Sequence, residues 1–307
     1  MPINMMIIPA YYMIFGALIL PLLPQKIRSG SFLLFPLLAL ITIWSFPIDH
    51  LIKVNFLNYE LIIGEFNRLN RIFGTIFSII AIIGGVYSYH LKELGQQSAA
   101  LLYAGGALGV TFAGDYFTLF IFWEMMAVAS TYLIWARRTT ESINAGMRYL
   151  IVHLFGGSLL LAGIILNISN TGSIVITSLT PDGSFSSWLI LVGVALNTAI
   201  PPLHAWLADA YPRATVTGAV FLSAFTTKSA VLILIKIFAG WEVLIFFGVM
   251  MALYGVVYAV LANDIREILA YHIISQVGYM VAGVGIGTEM AINGTTAHAF
   301  SHILYKA

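Results

Sequence analysis

Long apolar stretches separated by short polar connections run along the whole chain. Each stretch has roughly 20 residues, enough for a helix to cross a hydrocarbon core about 30 Å thick. The apolar positions are continuous and do not alternate with polar ones, so strands are not expected, because backbone facing lipid must satisfy its hydrogen bonds within its own segment. The pattern predicts an all-α fold, a polytopic helix bundle embedded in a membrane.

About eleven membrane spans follow from this pattern. The first lacks the basic flank and cleavage site of a signal peptide, so we expect it to be retained. Residues 1–95 are predicted to form an N-terminal unit of three spans, and residues 96–307 a second unit with the remaining spans. The predicted spans lie near residues 5–23, 31–48, 70–90, 97–114, 116–136, 147–168, 187–207, 215–238, 241–262, 267–286 and 290–307.

Composition supports the membrane assignment and excludes several kinds of function. Hydrophobic residues make up 60% of the chain, charged residues only 9%, and the mean hydropathy is +0.94, whereas soluble domains carry about 25% charged residues. A net charge of +1 gives no support for nucleic-acid binding. With no cysteine, disulfides, thiolate metal sites and iron–sulfur ligation are excluded, and no metal or cofactor is predicted.

Lys and Arg are distributed unevenly between alternate connections, which predicts the orientation. One set of connections holds eight of them and the other set four. Cytoplasmic connections are enriched in Lys and Arg, so we expect the first set in the cytoplasm and the N-terminus outside. The first set holds Lys26, Arg28, Lys92, Arg137, Arg138, Arg148, Arg213 and Arg266, and the second holds Lys53, Arg68, Arg71 and Lys236.

Two ionisable residues lie in the middle of predicted spans. Glu124 occurs in FTLFIFWEMMAVAS and Lys228 in GAVFLSAFTTKSAVLILIKIFAG. Burying a charge costs several kcal/mol unless it is paired or hydrated, so both are candidates for carrying protons. The alternative for Glu124 is a neutral acid that serves only as a structural hydrogen-bonding group. Lys236 is near the end of its span, and its amine is expected to reach the membrane surface.

Three titratable residues share one face of the last predicted helix. His298, His302 and Lys306 are spaced four residues apart in HAFSHILYKA, so they form a polar stripe. Such a stripe suits a hydrated proton relay better than a zinc site, because no carboxylate or thiolate accompanies it. His153, alone in YLIVHLFGG, is interpreted as a satisfied core histidine.

The segment LNTAIPPLHAWLADAYPRAT predicts a broken helix near residues 187–212. Adjacent prolines remove two backbone donors and interrupt the helix, which leaves carbonyls in need of partners. Broken helices at membrane depth are typical of ion sites in transporters, and a purely structural kink is the alternative. Residues with a predicted role at the break or its polar lining are Asn197, Pro201, Pro202, His204 and Asp209.

Over residues 95–307 the chain resembles the antiporter-like subunits of Mrp-type cation/proton antiporters, respiratory complex I and membrane hydrogenases, in particular the D-type Mrp subunit. The first 95 residues match only in hydropathy. The order and spacing of several motifs carry the resemblance, namely GDYFTLFIFWEMMAVASTYLIWARR at 114–138, AGMRYLIV at 145–152, PPLHAWLADAYPRATVTGAVFLSAFTTK at 201–228, NDIREILAYHIISQVGYM at 263–280 and HAFSHILYKA at 298–307.

The resemblance implies a line of ionisable groups at mid-membrane, with Glu124 as charge modulator, Lys228 as central proton carrier and the stripe of His and Lys residues on the last helix as lateral relay. The family has a lysine at the position of Asn197, and asparagine does not titrate. We therefore expect either a direct or water-bridged coupling of Glu124 to Lys228, or a protein that conducts protons poorly. A further departure is His272, where related sequences more often have serine. Family members continue past the last helix, so the chain is expected to be incomplete at its C-terminus.

Three functions follow from these observations. The first is a subunit of a multisubunit Na⁺/H⁺ antiporter in the inner cell membrane, working with other hydrophobic subunits on protons and monovalent cations. The second is a proton-pumping membrane-arm subunit of an NADH:quinone oxidoreductase or hydrogenase, in which any redox chemistry belongs to partner chains because no GxGxxG or haem ligand set occurs here. The third is a non-conducting scaffold subunit. In each case the chain itself is not expected to be an enzyme.

Overall fold

The computed structural model describes residues 7–181 and 183–306, which form a bundle of α-helices and one β-hairpin. A 3₁₀ turn follows α1 at Leu20–Leu22 and another follows α8 at Tyr211–Arg213. The helices are α1 (Pro9–Ile19), α2 (Gln25–Ser45), α3 (Arg68–Tyr87), α4 (Leu94–Phe112), α5 (Tyr116–Trp135), α6 (Thr140–Thr171), α7 (Phe185–Thr198), α8 (Ala205–Ala210), α9 (Val216–Ala224), α10 (Thr226–Phe238), α11 (Val243–Leu261), α12 (Ile265–Ile286) and α13 (Glu289–Lys306).

Within the described residues, each predicted span overlaps one or two helices, and the prediction of a polytopic all-α membrane bundle is confirmed. Residues 5, 6 and 307 of the first and last predicted spans lie outside the described residues. Within the described ranges, seven helices are long and apolar enough to cross a membrane, with α9 and α10 counted as one, and two shorter apolar helices accompany them. The figure of about eleven spans is therefore approximate. The predicted break is also present, because α7 ends at Thr198 and α8 does not begin until Ala205.

A β-hairpin in the second connection is the main feature that the hydropathy pattern did not predict. Strand β1 (His50–Phe56) pairs antiparallel with β2 (Tyr59–Phe66), with a register shift between Ile52 and Lys53. The argument against strands applies only to backbone that faces lipid, which must satisfy its own hydrogen bonds. The hairpin lies in a connection between apolar spans, so this requirement does not apply to it.

Two buried polar contacts fasten the hairpin to the bundle. Asp115, which caps the N-terminus of α5, accepts from the backbone N–H of Ile62 at 2.8 Å. The Lys236 ammonium is 2.7 Å from a Glu65 carboxylate oxygen and also donates to the carbonyl of Ala113. The prediction that Lys236 reaches the membrane surface is wrong, because its side chain is only 8% exposed and its charge is neutralised within the protein.

The connections collect at two opposite ends of the bundle. At one end, Arg138 pairs with Glu93 at 2.8 Å, and both Arg137 and Arg266 donate to the carbonyl of Pro212. At the other end lie the hairpin and the segment between α6 and α7. Lys- and Arg-rich connections thus share one end, as alternate connections of a multi-pass bundle must.

Helix α10 lies at the centre of a core that extends from Ile8 to Ile303. Every residue from Thr226 to Ile235 is buried. This segment is apolar apart from its first turn, so helices pack against it on all sides and the polar first turn is enclosed with the rest. The enclosed turn contains Lys228.

Candidate functional site

Lys228 lies beside a break between two helices. Helix α9 ends at Ala224 and α10 begins at Thr226, so the regular ladder of helical hydrogen bonds is interrupted at Phe225. The fully buried Lys228 side chain turns back across this break and its Nζ donates to the carbonyl of Ser223 at 2.7 Å. Within the described chain no carboxylate pairs with it.

Two imidazoles of α13, those of His298 and His302, lie within electrostatic range of the Lys228 amine. His302 of α13 is fully buried, and neither of its ring nitrogens has a hydrogen-bond partner. The charges of Lys228, Lys306 and His298 all act on its ring, and the rings of His298 and His302 are 6.2 Å apart. The predicted stripe therefore forms on α13, within electrostatic range of the buried lysine.

A further imidazole joins this group from another helix. His272 of α12 is within electrostatic range of both His302 and Lys306, and its Nδ1 is buried without a partner. In the sequence it stands out only as a departure from the related family. Its proximity to α13 depends on how two helices pack, which local spacing does not reveal.

Glu124 is held against a glycine of the next helix. Its Oε1 is buried without a hydrogen-bond partner and packs so closely on α6 that a Cβ at Gly157 would collide with it. The indole N–H of Trp123 beside it is also buried and unpartnered. No ion pair joins Glu124 to Lys228 in the part of the chain that the structure describes. The expected direct coupling is therefore absent, and the water-bridged form stays a prediction.

The break after α7 is built from a left-handed residue followed by the two prolines. Ala199 has φ of 61°, which ends the helix, and Pro201 and Pro202 follow. One carbonyl released by the break, that of Leu196, accepts from the indole N–H of Trp206 at 2.9 Å. Backbone groups at the break thus find partners within the protein.

Two polar residues predicted for the break remain without full partners. Asn197 is 1% exposed and its Oδ1 has no hydrogen-bond partner. His204 packs edge-on against Tyr254 with ring centroids 4.4 Å apart, and its Nδ1 is likewise unpartnered. Buried polar atoms are usually satisfied by protein groups or by ordered water.

Asp209 differs from the other predicted lining residues because its charge is fully paired. Arg148 binds both of its carboxylate oxygens, at 2.8 and 2.9 Å, and Arg213 binds one at 2.7 Å. This cluster ties α6 to α8 at the arginine-rich end of the bundle. Asp209 therefore anchors the segment after the break.

His153 is buried in the core as predicted, but it is not satisfied. Its Nδ1 lies 2.9 Å from the carbonyl of Tyr149, while its Nε2 is buried without a partner. The ring stacks on Tyr149 at 3.9 Å and lies edge-on to Trp206 at 4.5 Å. In the sequence, His153 is a lone histidine in an apolar span, and this pattern fits a core residue as well as a functional one.

A cavity of about 220 Å³ lies at the arginine-rich end of the bundle. Arg266 and Tyr211 line it, as do Ser223, whose carbonyl binds Lys228, and Lys306 of the α13 stripe.

Taken together, these contacts make a row of titratable side chains in the interior that are not neutralised by ion pairs. Ionisable groups at membrane depth are costly unless they are paired or hydrated. Within the described ranges, no group of three or more His, Cys, Asp or Glu could hold a metal ion.

Comparison with known proteins gives consistent matches. Residues 113–307 match the family model described as NADH:quinone oxidoreductase/Mrp antiporter, TM. An uncharacterised protein of Methanocaldococcus jannaschii is 31% identical over 76% of this chain and 51% of its own length. The D-type subunit of the Na⁺/H⁺ antiporter of Alkalihalophilus pseudofirmus is 32% identical over 66% of this chain and 45% of its own length.

The fold matches a chain of a solved Mrp complex. A chain of the Mrp complex from Dietzia sp. DQ12-45-1b superposes with a TM-score of 0.88 at 27% identity, covering 97% of this chain and 36% of that one. The chain thus spans about half the length of the curated relatives it matches, with 51% and 45% covered.

Proposed function

The chain belongs to the NADH:quinone oxidoreductase/Mrp antiporter membrane family, and from this premise we propose that it is a subunit of a multisubunit Na⁺/H⁺ antiporter that moves protons through buried ionisable residues. The observation that carries the proposal is the state of Lys228, which is fully buried, bonds to a carbonyl instead of a carboxylate, and lies within electrostatic range of His302. A structural lysine at this depth would be paired, because an unpaired buried charge is costly.

The proposed roles follow the geometry from one helix to the next. Lys228 is the central proton carrier, and His298, His302 and Lys306 form the lateral relay beside it. Glu124 modulates the charge, and the break at Pro201 and Pro202 supplies the polar lining with Asn197 and His204. We assign conduction to residues 96–307, and the N-terminal spans to a supporting unit.

Other hydrophobic subunits and a lipid bilayer complete the proposed assembly, in an inner cell membrane with the N-terminus outside. Support for this orientation comes from the gathering of Arg137, Arg138 and Arg266 at one end of the bundle. Na⁺ or another monovalent cation is the proposed second substrate of the assembly.

A second candidate is the membrane arm of a redox-driven pump, favoured by the first half of the matched family's description, NADH:quinone oxidoreductase. In that assembly the chain would conduct protons through the same residues without being a redox enzyme itself. Copurification with cofactor-bearing subunits supports this candidate, and copurification with small hydrophobic subunits alone supports the antiporter. A scaffold subunit is the third candidate, in which the buried charges only specify assembly.

The test is proton-gradient dissipation in inverted vesicles carrying the full-length protein with its complex, on addition of Na⁺ or K⁺. Lys228→Met keeps the side-chain volume and removes the amine, and we expect cation-dependent dissipation to fall to background while the complex still assembles. Lys53→Met is the matched control, because Lys53 is exposed at the hairpin and pairs only with Glu60. Normal transport by Lys228→Met would favour the scaffold.

A further inference from the structure

Two arginines at the arginine-rich end of the bundle have no carboxylate partner. Other arginines at this end form ion pairs with acidic side chains, namely Arg138, Arg148 and Arg213. Arg137 follows α5 and Arg266 lies in the first turn of α12, and each guanidinium bonds only to backbone carbonyls within the described chain. The residues that the structure describes therefore leave these two charges without a counter-charge.

The two guanidinium groups converge on a single carbonyl oxygen. Nη1 of Arg137 lies 2.9 Å and Nη1 of Arg266 lies 3.1 Å from the oxygen of Pro212. The two positive groups are thus held no more than about 6 Å apart, where like charges repel each other and attract an anion. Asp264 is close in sequence, but its carboxylate caps α12 by accepting from the backbone N–H groups of Arg266 and Glu267.

Arg266 also lines the cavity of about 220 Å³, whose walls are mostly apolar. No acidic residue of the described chain lines this cavity. The apolar side chains of its walls belong to α9 and α12, and they are Val216, Ala219, Val220, Leu269, Ala270 and Ile273. Val216 and Leu269 are 55% and 44% exposed, so the cavity opens on the lipid-facing side of the bundle.

We propose that Arg137 and Arg266 bind the phosphate of an anionic phospholipid from the adjoining leaflet, and that one acyl chain of this lipid enters the cavity. A guanidinium presents paired N–H donors that match the oxygens of a phosphate. Both arginines use only Nη1 in their bonds to the described chain, so Nε and Nη2 are free to donate. Basic pockets between transmembrane helices are typical sites for anionic headgroups. The inference goes beyond proton transport and holds for whichever assembly contains the chain.

The size of the cavity favours an acyl chain over a partner helix. A helix about 10 Å wide would fill 220 Å³ with roughly two residues of its length. An apolar space of about 150 Å³ already holds a benzene molecule, so this cavity has room for a short stretch of hydrocarbon chain. An acidic side chain of another subunit would neutralise the arginines but would leave the apolar cavity empty. A phospholipid accounts for both features.

The proposed lipid leaves part of the cavity open. Its chain lies on the exposed side, at Val216 and Leu269, whereas Ser223 is buried on the inner side. A bound lipid therefore narrows the opening that reaches Ser223 without closing it.

Photolabelling of the full-length protein with its complex in phosphatidylcholine vesicles tests the headgroup site. Phosphatidylglycerol and phosphatidylcholine probes carry a diazirine in the acyl chain, and mass spectrometry compares their labelling of residues 216–223 and 269–273. We expect the phosphatidylglycerol probe to be preferred at these residues. At Leu154, on the exposed face of α6, we expect no preference. Equal labelling by both probes at residues 216–223 and 269–273 would overturn the proposal.

Substitution of the arginines should remove this preference. Each arginine near a membrane surface contributes about a fivefold preference for anionic lipid, so we expect Arg137→Gln and Arg266→Gln each to lower it about fivefold. Arg138→Gln is the matched control, because it removes the same charge one residue away, from a side chain that already pairs with Glu93. We expect it to change the preference less than about twofold. An equal effect of Arg137→Gln and Arg138→Gln would mean that only the general surface charge matters.

A second variant tests the acyl chain without altering any charge. Ala219→Phe fills part of the cavity, and we expect it to lower labelling of residues 269–273 by phosphatidylglycerol at least about fivefold. Ala162→Phe, at an exposed position of α6, is the control and should leave this labelling unchanged. Unchanged labelling in Ala219→Phe would show that the chain does not enter the cavity.

Two further results would assign the arginines to another ligand. Glycerol 3-phosphate has the phosphate without acyl chains, and we expect it not to reduce labelling at a concentration equal to that of the probe. Competition at that concentration would identify a site for a soluble anion. Absence of all lipid labelling at residues 216–223 in the wild-type complex would show that a protein segment covers the site, and it would also overturn the proposal. None of these measurements depends on proton transport, so the proposed function and this inference can fail separately.

Discussion

At the residue scale, the position of the Glu124 carboxyl depends on a single glycine, Gly157. Gly157 has no side chain, so the Glu124 carboxyl can rest directly on the backbone of α6. An added methyl would occupy the position of Oε1, and because protein interiors are close-packed, the carboxyl or the helix must move. The same helix face presents His153 one turn away, so the glycine also sets the spacing between these two groups.

We therefore expect Gly157→Ala to lower proton transport markedly while costing only about 1–3 kcal/mol in stability, the usual range for overpacking. Vesicle transport and thermal unfolding of the complex measure the two effects. Gly30→Ala is the control, because nothing lies within 4 Å of a Cβ at that position in α2. Equal transport by both variants would show that the position of the Glu124 carboxyl does not matter.

At the scale of elements, the hairpin is joined to the central helix by a single ion pair in a shielded place. Lys236 is on the last turn of α10, eight residues after Lys228, and it pairs with Glu65 of β2. Glu65 also accepts from the amide of Asn70 at the start of α3. The hairpin is thus fixed to the helix that contains the candidate proton carrier.

Removal of one partner of this pair should cost more than removal of both. Lys236→Met leaves Glu65 without its counter-charge in a largely enclosed place, and we expect a loss of roughly 3 kcal/mol in the free energy of unfolding. The double variant Lys236→Met with Glu65→Leu should recover most of that loss, because apolar replacement of a buried pair is well tolerated.

Thermal unfolding of the complex in detergent measures these losses. Lys53→Met provides the comparison, since its pair with Glu60 on the same hairpin is exposed, with side chains 43% and 55% accessible, and such pairs contribute little. An equal effect of Lys53→Met and Lys236→Met would mean that the inner pair does not hold the hairpin in place.

At the scale of the whole molecule, the two ends of the bundle differ in how open they are. The arginine-rich end opens into the cavity that reaches Ser223 and Lys306. The opposite end is covered by the hairpin, the Asp115 cap and the Lys236 ion pair. We therefore expect access toward the buried lysine from the arginine-rich end, which the proposed orientation places in the cytoplasm.

Single cysteines test this asymmetry cleanly, because the chain contains none of its own. We expect a charged, membrane-impermeant maleimide to label Ala219→Cys at the cavity wall in inverted vesicles and not in intact cells. Ser173→Cys, exposed at the opposite end, should be labelled in intact cells. Ala230→Cys is fully buried in α10 and should react with neither. Labelling of Ala219→Cys only in intact cells would reverse the proposed orientation.

The sequence alone determined the class of the protein and most of its helices. A continuous apolar run in lipid forms a helix, because its backbone must satisfy its own hydrogen bonds. Adjacent prolines such as Pro201 and Pro202 interrupt a helix wherever they occur. Both features are therefore local consequences of the sequence. Burial of a charge is costly enough that Glu124 and Lys228 stand out by their position within apolar runs. The spacing of His298 and His302 likewise fixed their common face, because helical periodicity needs no neighbours.

Tertiary structure decided which polar groups meet. Lys236 forms an ion pair with Glu65, and Asp209 forms ion pairs with two arginines. No carboxylate within the described ranges pairs with Lys228. Each of these results depends on which helices are neighbours and at what height they cross. The surroundings of His153 are also decided at this level. Its Nδ1 bond is local to α6, but the bond of the neighbouring Tyr149 hydroxyl to Ser130 exists only once α5 and α6 pack together.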